Sequence, residues 1–305
     1  MLVLREESGK IGVKPSERST RELLRYGAVI LDKPRGPSSH ETSAFVRKIL
    51  GVKKAGHSGT LDPNVSGVLP VLLEDACKAA GFLLKQKKSY ACIARFSEKI
   101  SETKLREALA RFRGKIYQTP PLESAVVKRL RVREVYSLNL LEVDGRDVLF
   151  ECEVEGGFYV RKLVFDLGEV LGTQSEMLEL RRSSAAGFGE RQCTTLQDLA
   201  DRVWFWKNED DDKLLREVVL PVEKVVFLKR VVASDRVLHA ISTGANLAIS
   251  GILSLDEGIK RGESVQVLSG KGELVCFAQA LLSDEETASE KNGTAFDVTR
   301  VIQAF

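Results

Sequence analysis

Apolar residues fall into short runs along this chain, and the spacing within each run predicts its element. Ala28 to Leu31 form a compact apolar run stopped by Pro34, which predicts a strand entering a turn at Arg35-Gly36-Pro37. Ser38 with Glu41 three residues on makes a capping box. Phe45 with Ile49 and Val46 with Leu50 then supply an apolar helix face that Gly51 closes. Tyr90 to Phe96 reads as strand. After Ser101, Leu105, Ala108, Leu109 and Phe112 keep the i, i+3, i+4, i+7 spacing of a helix ended by Gly114. Val148 to Val154 and Phe158 to Val160 are β-rich around Gly156-Gly157, and Leu163 to Leu171 predicts a helix stopped at Gly172.

Strand-rich runs without regular βαβ alternation or a GxGxxG turn point to an α+β fold and away from a dinucleotide-binding one. The expected architecture is a mixed, mainly antiparallel sheet with flanking helices over residues 26–222. Residues 1–25 carry many charges and no clear period, so they read as an extension that lies on another part of the chain. The charged run Lys207 to Lys213 predicts a surface loop. Beyond Pro221, Val225 to Val232, Val265 to Leu268 and Leu274 to Leu281 are short β-like runs between glycine-rich turns, which predicts a small β-barrel over 229–305. No internal repeat is visible.

Composition narrows the function classes. With 305 residues, 43% of them hydrophobic, the chain can bury a sizeable core. A net charge of +3 says little about partners, but the charge is unevenly placed. Arg111 to Arg133 holds seven basic residues and one acid, Glu123, whereas Arg230 to Phe305 holds seven basic and ten acidic residues. The first stretch, stiffened by Pro120-Pro121, suits phosphate contacts; a solvated charged face is the plainer alternative. Recognition in the second must rest on shape and a few contacts. Five scattered cysteines with no CxxC pair argue against a zinc site and fit a reducing compartment. No apolar run reaches the roughly 18 residues of a membrane span, and the start Met-Leu-Val-Leu-Arg is no leader. A soluble protein of the cytoplasm is expected.

The chemistry gathers in Gly56-His57-Ser58-Gly59-Thr60-Leu61-Asp62-Pro63. Small residues and a proline around Asp62 can present a carboxylate rigidly while the backbone stays close to a ligand. Alone, Thr-Leu-Asp-Pro is more commonly a turn or a cap. The surrounding sequence changes that balance. Gly56 to Pro63 resembles the catalytic motif of the TruB and dyskerin family of RNA pseudouridine synthases. Further matches follow in family order: Leu31-Asp32-Lys33-Pro34, Gly36-Pro37-Ser38-Ser39-His40, Gly67-Val68-Leu69-Pro70, Lys88-Ser89-Tyr90, Pro120-Pro121 with Ser124-Ala125-Val126, Leu130-Arg131-Val132-Arg133, Tyr159-Val160-Arg161 and Glu179-Leu180-Arg181-Arg182. Gly12-Val13-Lys14-Pro15 and Asp144 to Phe150 resemble the archaeal H/ACA type within that family, and the β-rich end resembles a PUA RNA-binding domain.

The resemblance implies an isomerase that converts uridine to pseudouridine in rRNA or tRNA, with no metal and no organic cofactor. It implies Asp62 as nucleophile, Arg161 as a guanidinium that keeps the carboxylate ionised in a dry pocket, and Tyr90 stacked on the extruded base. Leu163 falls where the family has an apolar pocket wall. His57, Tyr159, Lys128, Arg129 and Arg131 are implied contacts of substrate RNA, and Arg236, Gly244 and Ala245 of guide RNA. Taken singly, each is as readily an ordinary surface, strand or core residue. Implied partners are H/ACA guide RNA, the small proteins of that particle and a ribosomal-type kink-turn protein reached through the RNA. The sequence departs from the family at Phe96-Ser97-Glu98-Lys99, Val127 and Phe158. Two rivals remain: stand-alone modification of the tRNA TΨC arm, and a catalytically idle RNA-binding scaffold.

Overall fold

In the computed structural model, residues 1–120 and 127–305 are described. Among these, ten strands form one sheet whose central order is Val219–Pro221, Gly27–Lys33, Ser66–Leu73, Ser175–Ala185, Lys88–Phe96, Asp147–Val154, Arg131–Asp144 and Gly114–Gln118. Neighbours pair antiparallel except Ser66–Leu73 with Ser175–Ala185, which run parallel through Ser66↔Arg181 and Gly67↔Arg182. That junction is unusually close: a Cβ on Gly67 would lie 2.2 Å from the Arg182 carbonyl oxygen, and Gly67 sits at φ +108°. Ala55–His57 pairs with the far end of Ser66–Leu73. The loop bearing Asp62 therefore links two strands that pair with each other, Ala55–His57 and the central Ser66–Leu73.

Helices cover the sheet where the periodicity places them. Ser39–Leu50 begins at a Ser38–Glu41 capping box and stops at Gly51. Its inward stripe is Thr42, Val46 and Leu50, four residues apart, so Phe45 points outward and is 45% exposed, against the face expected for it. Glu102–Arg111 starts at Ser101 and buries Leu105, Ala108 and Leu109. It ends at Phe112, and Gly114 opens the next strand. Val160–Leu171 buries Val160, Leu163, Val164 and Leu167 along one stripe. Val160 is thus the first helical residue and not part of a β run, because amphipathic packing outweighs the β preference of one valine.

Two other expectations change. The charged run from Lys207 is helical to Glu209, since Leu196–Glu209 is capped by Thr195 and Asp198 and packs through Leu199 and Val203. Only Asp210 to Asp212 break it before Lys213–Val218. Near the N-terminus, Thr20–Arg25 is a helix with a Ser19–Glu22 capping box. Six residues are too few for a period to declare itself.

The second sheet has seven described strands, in the order Leu2–Val3, Ile252–Leu255, Lys229–Ala233, Ser264–Leu268, Leu274–Ala280, Thr294–Val301 and Leu247–Ala248. They surround one apolar cluster that includes Val231, Leu238, Ile252, Val265 and Phe296. Its outer strand comes from the other end of the chain, with Leu2 opposite Leu255. The segment that follows is tied down by side chains: Arg5 donates to the carbonyls of Ile249 and Ile252, Ser234 donates to Glu7, and Asp235 accepts from the amides of Lys10 and Ile11. Leu274, Phe277 and Ile302 share a core cluster with Tyr26, Ala28 and Leu83, and the Phe82 and Phe277 ring centroids are 3.9 Å apart. At this seam Arg18, 2% exposed, donates to both Glu223 and Gln303.

Candidate active site

The Asp62 loop is held from below through its backbone. Ser39 Oγ accepts from the Leu61 amide at 2.7 Å and donates to the Leu61 carbonyl at 2.9 Å, both in the interior. Lys33, with no exposed surface, donates to the carbonyls of Pro34, Pro63 and Val65 at 2.9, 3.3 and 2.7 Å. The Gly36 amide donates to the Pro63 carbonyl at 2.9 Å, and the Val65 amide closes a turn on the Asp62 carbonyl at 3.0 Å. Leu61 and Val65, on either side, are each 3% exposed. The backbone on both sides of Asp62 is thus tied to the interior and Leu61 and Val65 are buried, while Asp62 itself is exposed.

Arg161 Nη2 donates to Asp62 Oδ2, and the two side chains are 42% and 52% exposed. The pocket expected to be dry is open to water along this edge, so the ion pair is screened and contributes little to stability. Arg161 lies in the first turn of Val160–Leu171. Tyr159 caps that helix, its amide donating to Gln118 Oε1 at 3.0 Å while Gln118 Nε2 donates to its carbonyl at 3.1 Å. Gln118 is 1% exposed and fixes the approach of Arg161 from beneath.

Tyr90 lies at the centre of Lys88–Phe96, opposite Cys152 on one side and Arg182 on the other. It is 7% exposed and belongs to the same apolar cluster as Leu61 and Leu163. Burial pushes its phenol pKa up, with the nearby Arg182 guanidinium opposing that rise. Leu163, expected as an apolar wall of the pocket, has no exposed surface. It packs inside the cluster that holds Tyr90.

Behind the loop the charges are buried and positive. Arg182, without exposed surface, donates from Nε to the Val68 carbonyl at 2.7 Å and from Nη2 to the Gly59 carbonyl at 3.1 Å. Lys88, 4% exposed, donates to the carbonyls of Leu84 and Gln86, and burial followed by repulsion from Arg182 pulls its pKa down to about 8. His57 is half-buried in Ala55–His57, and its Nδ1 has no hydrogen-bond partner. Burial first, then Arg182 and His40, lower its pKa below 6.5, so the ring is mainly neutral at pH 7.

The basic segment is built differently. Lys128 and Arg129 are exposed. Arg131 opens the strand Arg131–Asp144, donates to the Val127 carbonyl, and keeps an Nε with no partner. Leu130 and Val127 beside them are 63% and 73% exposed. Glu123, Pro121 and Ser124-Ala125-Val126 lie outside the described residues. In the second sheet, Arg236 is exposed near the start of Asp235–Ser242, and Gly244 and Ala245 are exposed in the turn just beyond it.

Sequence reasoning placed Asp62, Arg161 and Tyr90 and assigned no role to Lys33, Ser39, Gln118 or Arg182. Lys33 and Arg182 could have been noticed as cations inside otherwise buried strands, a placement that demands a specific partner. Nothing local marks Gln118. Among the described residues no cluster of His, Cys, Asp and Glu could hold a metal ion, and no helix is long and apolar enough to cross a membrane.

Four family models match the chain in succession: the DKCLD (NUC011) domain over 4–43, the TruB family pseudouridylate synthase N-terminal domain over 47–103, the tRNA pseudouridylate synthase B C-terminal domain over 161–227, and the PUA domain over 229–302. A probable tRNA pseudouridine synthase B of Archaeoglobus fulgidus is 45% identical over 95% of this chain and 90% of its own length. Its namesake in Methanocaldococcus jannaschii is 44% identical over 98% and 90%. A chain in the crystal structure of a Cbf5-Nop10-Gar1 complex superposes with a TM-score of 0.93 at 40% identity, over 99% of this chain and 94% of that one. Another, in the structure of an H/ACA RNP bound to a substrate RNA containing 2'-deoxyuridine, gives 0.91 at 39% identity over 99% and 94%.

Proposed function

The chain belongs to the TruB family of pseudouridine synthases, and we propose that it isomerises selected uridines of RNA with Asp62 as the covalent participant. The observation that carries this reading is an exposed carboxylate on a loop whose backbone is tied to the interior on both sides, with the Arg161 guanidinium on one of its oxygens. The reaction breaks the bond between ribose C1′ and uracil N1 and forms one between C1′ and C5; the C5 proton leaves and N1 takes up a proton. It is redox neutral. The target must leave its stack before Asp62 can reach it, and Tyr90 with Tyr159 would receive the extruded nucleotide. Arg161 would hold the carboxylate aimed. His57, neutral at pH 7, is suited to binding and not to carrying charge.

Residues 26–222 would form the catalytic domain, with 229–305 as the PUA domain supported by 1–25. The basic segment with Lys128, Arg129 and Arg131 would grip substrate phosphates, while Arg236, Gly244 and Ala245 would contact guide RNA. The titles of the solved relatives, a Cbf5-Nop10-Gar1 complex and an H/ACA RNP bound to a substrate RNA, support assembly with small H/ACA proteins and RNA; guide RNA, a kink-turn protein reached through it and the cytoplasm of an archaeal-type cell complete the proposal. The names of the curated relatives support tRNA as a second substrate, for which the TΨC arm is the site proposed. Release of tritium from C5-labelled uridine in rRNA and tRNA fragments, with and without guide RNA and partners, tests both. Guide-dependent release from the rRNA fragment is expected. No release from either RNA under any condition would leave only an idle scaffold.

A further inference from the structure

Arg182 is the largest charge buried next to the Asp62 loop, and the loop's geometry is arranged around it. Its Nε and Nη2 bond the carbonyls of Val68 and Gly59, which lie on opposite sides of Asp62 in the chain. Gly59 is held at φ +86°, and a Cβ there would sit 3.3 Å from Arg182 Nη1. On the sheet, Arg182 is the cross-strand neighbour of Tyr90. No carboxylate forms an ion pair with it among the described residues, and Nη1 completes no hydrogen bond although it is fully buried.

We propose that Arg182 is a positioning residue of the isomerisation, holding the Asp62 loop and the Tyr90 hydroxyl in one register beneath the extruded base. An unpaired guanidinium is a costly way to bridge two carbonyls, and an amide would serve a purely structural bridge better. The fork geometry adds what an amide lacks: two teeth span the loop from a side chain set opposite Tyr90 in the sheet. The influence of Arg182 against the burial-driven rise of the Tyr90 phenol agrees with that orientation. The inference rests on Asp62 and Tyr90 being the chemical groups.

The test is single-turnover tritium release by the full particle at saturating substrate, with Arg182→Met, Arg182→Lys and Tyr90→Phe, the double variant Arg182→Met/Tyr90→Phe, and Asp62→Asn. Arg182→Met should slow release by about 100-fold, as a misplaced catalytic loop does, with substrate Kd within about twofold of wild type. Arg182→Lys should recover about a tenth of the wild-type rate, because one charge reaches one carbonyl. In the double variant the losses should not multiply, since both changes disturb one arrangement. Rates within about twofold of wild type, losses that multiply, or a loss that appears in Kd would each overturn the proposal. If the Met variant does not fold, the Lys variant decides, and failure of both to fold would assign Arg182 to the fold alone. An inactive Asp62→Asn beside an unimpaired Arg182→Met sinks this inference only; a fully active Asp62→Asn sinks the assignment of Asp62 itself.

Discussion

The Asp62 loop and the basic segment around Lys128 are both assigned to substrate in the proposed function, yet they are held in opposite ways. Around Asp62, Ser39, Lys33, Gly36 and Arg182 tie the backbone from the interior, and the Asp62 side chain emerges from that fixed base. Around Lys128, the described ties are few and local, from Arg129 and Arg131 to the Val127 carbonyl, and apolar side chains as well as cations stand in solvent. Chemistry at one carbon needs an attacking atom fixed to a fraction of an ångström. Gripping a polyanion needs only charge at roughly the right place. The contrast predicts that damage to the first region appears in rate, and damage to the second in affinity.

The sharpest way to break the comparison is at its exposed edge. Arg161→Lys should cost about 100-fold in single-turnover rate, because an ammonium cannot hold the carboxylate as a planar fork does; an undiminished rate would reduce Arg161 to a surface cation. A smaller effect is expected beneath the loop. Ser39→Ala leaves the buried amide and carbonyl of Leu61 unpaired, for a stability loss of about 1–3 kcal/mol by thermal or denaturant unfolding and a rate loss of about tenfold. Unchanged turnover with the stability loss present would mean the loop tolerates slack. The mildest effect on chemistry belongs to the basic segment. Replacing Lys128, Arg129 and Arg131 together by alanine should reduce the slope of log affinity against log salt by up to about two to three and leave the rate on bound substrate unchanged. A change in that rate would erase the division of labour.

Much of this was legible from residues whose reasons are local. The Ser38–Glu41 capping box, the Ser101 cap and the stops at Gly51 and Gly172 each involve neighbours a few positions apart, and the helices start and end there. The Asp62 motif declared itself because its residues are contiguous. What stayed hidden depends on distant partners. Gln118 serves Tyr159 across 41 positions, and Arg182 serves Gly59 across 123. Phe45 was placed on the wrong face because two overlapping apolar pairs suggest a face, and tertiary packing selects one of them.

The most direct test of the central claim separates occupancy from chemistry in Asp62→Asn. Tritium release from C5-labelled substrate is measured in a single turnover, with the RNA shown to be bound at the same concentration by the same particle. The amide keeps the size and the loop contacts of Asp62 while removing the nucleophile. Binding within about twofold of wild type is expected together with a rate lower by on the order of 1,000-fold or more. Release at a rate close to wild type from RNA bound as tightly would contradict the account.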